Sequence, residues 1–108
     1  MQVIELVETP IFTRLIRELL TDEEYRLLQW GLVARPELGA LVPGGHGLRK
    51  IRWSSRGKGK RGGLRILYYW AAANGTIYLL YAYSKREKED LTRAQITVLA
   101  RLIREELQ

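Results

Sequence analysis

The sequence predicts an α+β domain in which an antiparallel sheet carries its helices on one side. Three observations support this class. Two helical apolar stripes lie near the start of the chain, three strand-like runs follow them, and a last helical stripe closes the chain. A chain of 108 residues is long enough for one hydrophobic core and too short for two. We therefore expect a single domain over residues 1–108, with its elements in the order β-α-α-β-β-β-α.

The first half of the chain predicts one strand and two helices. Residues 2–8 are mostly β-branched or apolar and stop before a Thr-Pro pair, which favours a strand. From Ile11 the apolar residues recur at the spacing of one helix face. Residues 21–24, Thr-Asp-Glu-Glu, form a capping-box pattern. A second helix is expected from there to about Ala34, where a nearby proline ends it.

The second half predicts three strands and a final helix. After a glycine-rich loop at residues 43–47, the strand-like runs are Leu48–Trp53, residues 64–72 and Thr76–Ser84. Asn74-Gly75 joins the last two runs and is typical of a hairpin turn. Thr92 with Gln95 predicts a second capping box, and the apolar residues after it recur as one helix face.

Positive charge is concentrated in one segment, residues 38–86. That segment holds ten of the 18 Lys and Arg residues and not one Asp or Glu. The other eight basic residues share the rest of the chain with all twelve acidic ones. A one-sided basic patch is typical of a protein that binds a polyanion, so RNA or DNA is the first candidate partner.

Composition also narrows the kind of site. The chain has no cysteine and a single histidine, His46, which excludes disulfides, thiolate metal sites and an ordinary histidine metal site. We expect no cofactor and no metal, and an exposed position for His46. The Gly-Lys-Gly-Lys run is not a phosphate-binding loop, because neither Ser nor Thr follows Lys60 and no helix follows it. Without a membrane-length apolar run or a signal-peptide pattern, a cytoplasmic protein is expected.

Strand alternation predicts a group of cations on one face of the sheet. Lys50 and Arg52 share one face of their strand, while the residues between and after them face the core. The candidate group consists of basic residues from three strands and an aromatic neighbour: Lys50, Arg52, Arg65, Lys85 or Arg86, and Tyr83. Two interpretations stay open: a solvated face that only binds phosphate, or an active site. Neighbouring cations disfavour the protonated form of a lysine among them, and a neutral lysine can act as a base.

Several short segments together resemble the RelE/ParE superfamily of bacterial toxins, and within it the HigB-type branch of type II toxin–antitoxin systems. The main segments are residues 47–52 (Gly-Leu-Arg-Lys-Ile-Arg), the loop 57–63, residues 64–69 (Leu-Arg-Ile-Leu-Tyr-Tyr) and residues 83–87 (Tyr-Ser-Lys-Arg-Glu). Residues 22–26 and 36–39 are similar too, so the resemblance covers nearly the whole chain. It implies a small RelE-like fold, whose order of elements is the one predicted above.

The resemblance implies an mRNA endoribonuclease that cuts codons in the decoding site of the 70S ribosome. In that chemistry a 2′-hydroxyl attacks the adjacent phosphate. The implied catalytic residues are Lys50 and Arg52 as base or charge stabiliser, Arg65 holding the phosphate, and Lys85 or Arg86 at the transition state or leaving group. The implied RNA-binding residues are Arg49, Arg56, Lys58, Lys60, Arg61 and Tyr83. Some relatives carry a tyrosine at the position of Thr92, and here Tyr81 or Tyr83 are the alternatives for its role.

The resemblance also implies partners and a rival function. The partners are a cognate antitoxin protein, the ribosome and its mRNA, with operator DNA bound only through the antitoxin, and no membrane. The ParE branch shares the fold but inhibits DNA gyrase without cutting RNA, so fold alone does not decide between them. The set of Lys50, Arg52, Arg65 and Lys85 favours the nuclease over that inhibitor, because the ParE branch tends to lack it. A plain nucleic-acid-binding domain is a third alternative.

Overall fold

The computed structural model of the protein describes residues 3–54, 63–88 and 90–108. Within these ranges a mixed five-stranded sheet is combined with three α-helices. The elements are β1 (Glu5–Glu8), α1 (Pro10–Leu19), α2 (Asp22–Ala34), β2 (Ala40–Leu41), β3 (Leu48–Trp53), β4 (Leu64–Ala71), β5 (Thr76–Ser84) and α3 (Arg93–Leu102). A π-helical turn over Ile103–Leu107 extends α3. Among these helices none has the length and apolar character needed to cross a bilayer.

The sheet has the order β1-β5-β4-β3-β2, with β4 at its centre. β1 runs parallel to β5, and the other three neighbouring pairs are antiparallel. The predicted α+β class and the mainly antiparallel sheet are confirmed. The predicted order of elements missed β2, a two-residue strand in which Ala40 lies opposite Lys50. Two residues are too few for an alternating pattern to stand out in the sequence.

The helices lie on both faces of the sheet, so the expectation that they pack on one side is wrong. Even-numbered residues of β4, such as Ile66 and Tyr68, join α1 and α2 in one buried cluster. On the opposite face Leu67 joins a second cluster with Ile103 and the apolar residues of α3. The reason is that β4 is apolar at successive positions, which is typical of a strand covered on both faces.

The helix starts agree with the sequence patterns. Thr21 accepts a hydrogen bond from the N–H of Glu24 at 3.1 Å, and the Glu24 carboxylate accepts one from the N–H of Thr21 at 2.8 Å. Thr92 and Gln95 form the same reciprocal pair at the start of α3. Both predicted capping boxes are therefore confirmed, and each satisfies two backbone donors that a helix start leaves open.

The predicted hairpin between β4 and β5 is confirmed, but its loop is longer than the Asn-Gly pair. The turn covers residues 72–75, and Gly75 alone within it has a positive φ, 64°. The N–H groups of Asn74 and Gly75 bond back to the carbonyls of Ala71 and Ala72. Positive φ is strained for most side chains, so the glycine defines where the chain enters β5.

A β-bulge divides β5 into two halves of different phase. Leu79 lies opposite Tyr68, and Tyr81 lies opposite Leu67, which leaves Leu80 as an extra residue. Leu80 and Tyr81 consequently both pack in the cluster beneath α3. Tyr83, two residues later, keeps that new phase and also belongs to this cluster.

Tyr68 connects the sheet to the chain that leaves α2. Its side chain is fully buried, and its hydroxyl donates to the Pro36 carbonyl at 2.7 Å while accepting from the Gly39 N–H at 2.8 Å. A methyl group at Gly39 would come within 2.9 Å of the Tyr68 ring. The loop therefore fits closely over the centre of the sheet.

We expect Tyr68→Phe to lower the free energy of unfolding by about 2 kcal/mol, because it leaves a buried N–H and a carbonyl without a partner. Urea unfolding followed by circular dichroism measures this change. Tyr78→Phe is the matched control, since the Tyr78 hydroxyl bonds to no other residue in the described ranges. Equal losses from the two substitutions would contradict the anchoring role of Tyr68.

Candidate functional site

Three basic side chains from two neighbouring strands lie on one face of the sheet. Arg52 on β3 is opposite Arg65 on β4, and Lys50 lies two residues before Arg52 on the same strand. On the other side of β4, Arg65 is opposite Tyr83 of β5. We call Lys50, Arg52 and Arg65 the cationic cluster. These three are part of the group that strand alternation predicted, which also included Lys85 or Arg86.

Arg65 forms the buried floor of the cationic cluster. Only 5% of the residue is exposed, although its neighbour across the strand, Arg52, is exposed. One guanidinium nitrogen lies 3.4 Å from the carbonyl oxygen of Leu64. Because a guanidinium stays charged at any pH a protein tolerates, this position holds a fixed positive charge inside the fold.

Asp90, from the segment just before α3, joins the site. Its carboxylate lies 3.2 Å from the Lys50 ammonium. The same oxygen accepts from the N–H of Leu91 at 2.9 Å. The Lys50 hydrogen bond, with help from the Leu91 N–H and the charge of Arg65, lowers the pKa of Asp90. The pair is therefore an ammonium facing a carboxylate.

The Tyr83 hydroxyl is buried beside these charges. The residue is 1% exposed, and its hydroxyl makes no hydrogen bond of ordinary geometry with another described residue. Burial raises the pKa of the phenol, and the nearby Asp90 carboxylate raises it further, whereas Arg65 acts in the opposite direction. Tyr83 thus keeps its proton at neutral pH, and its hydroxyl lies close to the Asp90 carboxylate.

Lys88 adds a fourth positive charge that sequence reasoning missed. Its ammonium lies 5.7 Å from the ring centroid of Tyr81 and 5.8 Å from that of Tyr83. The two rings are themselves 6.1 Å apart and tilted against each other. Attraction between a cation and the faces of two aromatic rings holds Lys88 at the edge of the site. The signal in the sequence was a lysine five residues after Tyr83, which alternation along the strand cannot place.

The remaining predicted residues lie outside this contact group. Lys85 and Arg86 are exposed in the turn after β5, where the Lys85 N–H bonds to the Gly63 carbonyl at 2.6 Å. Arg49 points to the opposite face of the sheet and donates to the carbonyls of Gly39 at 2.8 Å and Glu37 at 3.3 Å. Four predicted RNA-binding residues fall on a segment outside the described ranges: Arg56, Lys58, Lys60 and Arg61.

Two other features were compared with the cationic cluster as sites. An apolar groove of about 480 Å³ lies between α3 and β5, and Tyr81 is the one titratable side chain among the residues that line it. Such a groove offers shape but no acid–base chemistry. Across residues 3–54, 63–88 and 90–108, His, Asp and Glu form no group of three that could hold a metal ion. His46 is exposed, as predicted.

We expect Lys50→Met to raise the pKa of Asp90 towards its ordinary value, because the ammonium that favours the carboxylate is lost. A lowered pKa means that the pair stabilises the fold above the ordinary aspartate pKa and loses this contribution as the pH falls through the lowered one. Carboxyl ¹³C NMR titration measures the pKa directly.

Arg52→Met is the control for this titration. It removes a positive charge from the same face of the same strand without touching the ion pair. A similar rise of the Asp90 pKa in both variants would show that general charge, and not the contact with Lys50, sets the value.

No model of a known protein family matches this chain. Any interpretation of function therefore rests on the residues of the site: a buried arginine, a lysine paired with an aspartate, an exposed arginine and a buried phenol.

Proposed function

We propose that this protein is the toxin of a type II toxin–antitoxin system, of the HigB-type branch of the RelE/ParE superfamily, and that it cuts mRNA on the ribosome. The observation that carries the proposal is the cationic cluster on one sheet face, with Arg65 buried as its floor and Tyr83 beside it. The sequence segments that resemble the superfamily contribute these same residues. The mixed sheet with β4 at its centre provides a scaffold compatible with a RelE-like fold.

The proposed reaction is an internal transfer within RNA. The 2′-oxygen forms a bond to the adjacent phosphorus while the bond from phosphorus to the 5′-oxygen breaks, leaving a cyclic phosphate and a 5′-hydroxyl. The 2′-hydroxyl gives up a proton and the leaving oxygen gains one. Charge accumulates on the phosphate oxygens between these events, so fixed cations are the largest contribution that a site of this composition can make.

Arg65 is proposed to hold the phosphate. Its guanidinium is fixed by burial, and a planar fork of donors matches two phosphate oxygens. Arg52, opposite it across the strand pair, reaches the same region from the exposed side. Two arginines in register between neighbouring strands could then share one phosphate group between them.

Lys50 is proposed to stabilise charge. The sequence left its role open between base and charge stabiliser, and the ion pair with Asp90 at 3.2 Å supports the second, because a side chain paired with a carboxylate acts through its positive charge. Tyr83 is proposed as a hydrogen-bond donor to the phosphate or to a neighbouring base of the RNA. Its raised pKa keeps the proton that such a bond needs.

The outer cations are proposed to guide the RNA. Lys85 and Arg86 extend the positive surface beyond β5, where either can approach the leaving oxygen. Arg56, Lys58, Lys60 and Arg61 keep their proposed role in binding the RNA backbone. Arg49 is a predicted RNA contact as well, and its hydrogen bonds to Gly39 and Glu37 support an additional structural role.

The proposed partners are the antitoxin, the 70S ribosome and mRNA. Exposed apolar side chains on α2, Leu27, Trp30 and Val33, lie on the helical layer opposite the cationic cluster. A protein that covered them would leave the cluster accessible, which supports an antitoxin contact away from the basic face. A complex in which the antitoxin fills the cleft between Lys50 and Arg65 would contradict this placement. Operator DNA is proposed to bind through the antitoxin.

We expect discrete, codon-phased cuts in an mRNA when wild-type protein is added to translating ribosomes, and cleavage at least about 100-fold slower with Arg65→Ala, because a fixed donor to the phosphate is lost. Primer extension on the mRNA, with and without ribosomes, measures both. Lys50→Ala is tested in parallel because Arg65 is buried and its loss could disturb folding, which circular dichroism checks. Arg17→Ala, an exposed change of equal charge on α1, serves as the control.

Each result of this assay separates one function from another. Cuts without ribosomes would identify a ribonuclease that acts on unbound RNA. An absence of cuts under all conditions would contradict the nuclease, and inhibition of DNA gyrase by the same preparation would then identify the ParE-like function. Loss of cleavage in Arg17→Ala to the same extent would show that total charge, and not the cationic cluster, is required.

A further inference from the structure

Asp90 brings a negative charge to a site otherwise built from cations. Its carboxylate is held from two sides, by the Lys50 ammonium at 3.2 Å and by the Leu91 N–H at 2.9 Å. Its charge also acts on Arg65 and on Tyr83. A carboxylate presents two oxygens that share one negative charge, as two oxygens of a phosphodiester do. Asp90 therefore contacts Lys50 and acts through its charge on Arg65 and Tyr83, the groups proposed to meet the phosphate.

The site is nevertheless incomplete with Asp90 in place. The buried Tyr83 hydroxyl makes no ordinary hydrogen bond within the part of the chain that the structure describes. A buried donor without an acceptor is unfavourable, and native structures rarely leave one. The Asp90 carboxylate acts on this hydroxyl without forming a hydrogen bond of ordinary geometry with it. A phosphate carries more acceptor oxygens than a carboxylate and could supply one to Tyr83.

We propose that the Asp90 carboxylate occupies the phosphate position at Lys50 and that an RNA phosphate must displace it. The inference rests on the proposed function in taking the cationic cluster as a phosphate site. Asp90 is thus an internal competitor. An isolated phosphate has to replace the ion pair with a single set of contacts, whereas an RNA strand brings several phosphates to the surrounding cations. Displacing Asp90 costs every ligand the same free energy, and an RNA strand offsets this cost through its further phosphate contacts, whereas inorganic phosphate and mononucleotides do not.

Displacement is feasible because Asp90 lies at the surface. Its side chain is 67% exposed and that of Lys50 is 25% exposed, so a released carboxylate enters water directly. Exposed ion pairs contribute little to stability. The start of α3 does not depend on this bond, because Thr92 and Gln95 form its capping box independently.

The test uses Asp90→Asn, which removes the charge and keeps an oxygen that can accept from the Leu91 N–H. Backbone amide NMR titrations would measure binding of inorganic phosphate and of a 2′-O-methyl RNA tetranucleotide, which cannot be cleaved. We expect both to bind about fivefold more tightly to Asp90→Asn than to the wild type, which corresponds to the upper range for an exposed ion pair. The two gains should be similar, because each ligand displaces the same carboxylate.

Glu87→Gln is the matched control. It removes the same charge from the same stretch of chain, but its carboxylate faces the Ser84 N–H at 3.5 Å and contacts no cation of the cluster. We expect less than a twofold change. Equal gains in affinity from both substitutions would show that the net charge of the protein causes the effect, and would overturn the inference. Unchanged or weaker binding by Asp90→Asn would overturn it as well, as would the absence of phosphate binding in every variant.

This experiment can fail separately from the proposed function. Binding is measured without ribosomes and without cleavage. If the wild type cuts mRNA but Asp90→Asn binds phosphate no more tightly, the inference about Asp90 is contradicted and the proposed function is not. Conversely, tighter binding in Asp90→Asn by a protein that never cuts RNA would support a displaceable carboxylate in a phosphate site of some other function.

Discussion

The structure depends on the burial of β4 on both faces. Along this strand, successive side chains enter two different cores, one beneath α1 and α2 and the other beneath α3. A strand in that position cannot shift its register by one residue without exchanging the contents of both cores. Arg65 sits on this strand, between Leu64 and Ile66. Its place in the sheet is therefore fixed by the apolar packing of its neighbours on the same strand.

The site balances its charges through contacts between distant parts of the chain. A buried arginine and a half-buried lysine repel each other, and the Asp90 carboxylate reduces that repulsion. Lys88 is held separately, over the rings of two tyrosines. A specific contact therefore holds each of these two lysines in place, and the contacts offset the repulsion between neighbouring positive charges at the edge of the sheet. The exposed Arg52 adds to the same field at little cost, because water solvates it.

Local patterns predicted the parts of the molecule that local physics decides. Alternation placed Lys50, Arg52 and Arg65 on one face because neighbouring residues of a strand must point apart, and capping boxes located two helix starts because their bonds span three residues. The pairing of Asp90 with Lys50 joins residues 40 positions apart and depends on where α3 docks, which no local pattern encodes. The packing of helices on both faces of the sheet could have been predicted from the sequence, because β4 carries apolar residues at both odd and even positions. The nuclease role comes from the resemblance to a toxin family, and the physics of folding neither predicts nor excludes it.

The bulge at Leu80 changes the side-chain alternation of β5, so the residues before and after it face the sheet in different phases. Its first half aligns side chains for the core beneath α1 and α2, and its second half aligns Tyr81 and Tyr83 with the cations, each in its own phase. If Leu80 were paired regularly with Leu67 instead of bulged, Tyr81 and Tyr83 would both turn to the face beneath α1 and α2, while the hairpin before them would stay intact. The two halves of β5 therefore set the facing of their side chains independently along one continuous strand, and the extra residue Leu80 separates them.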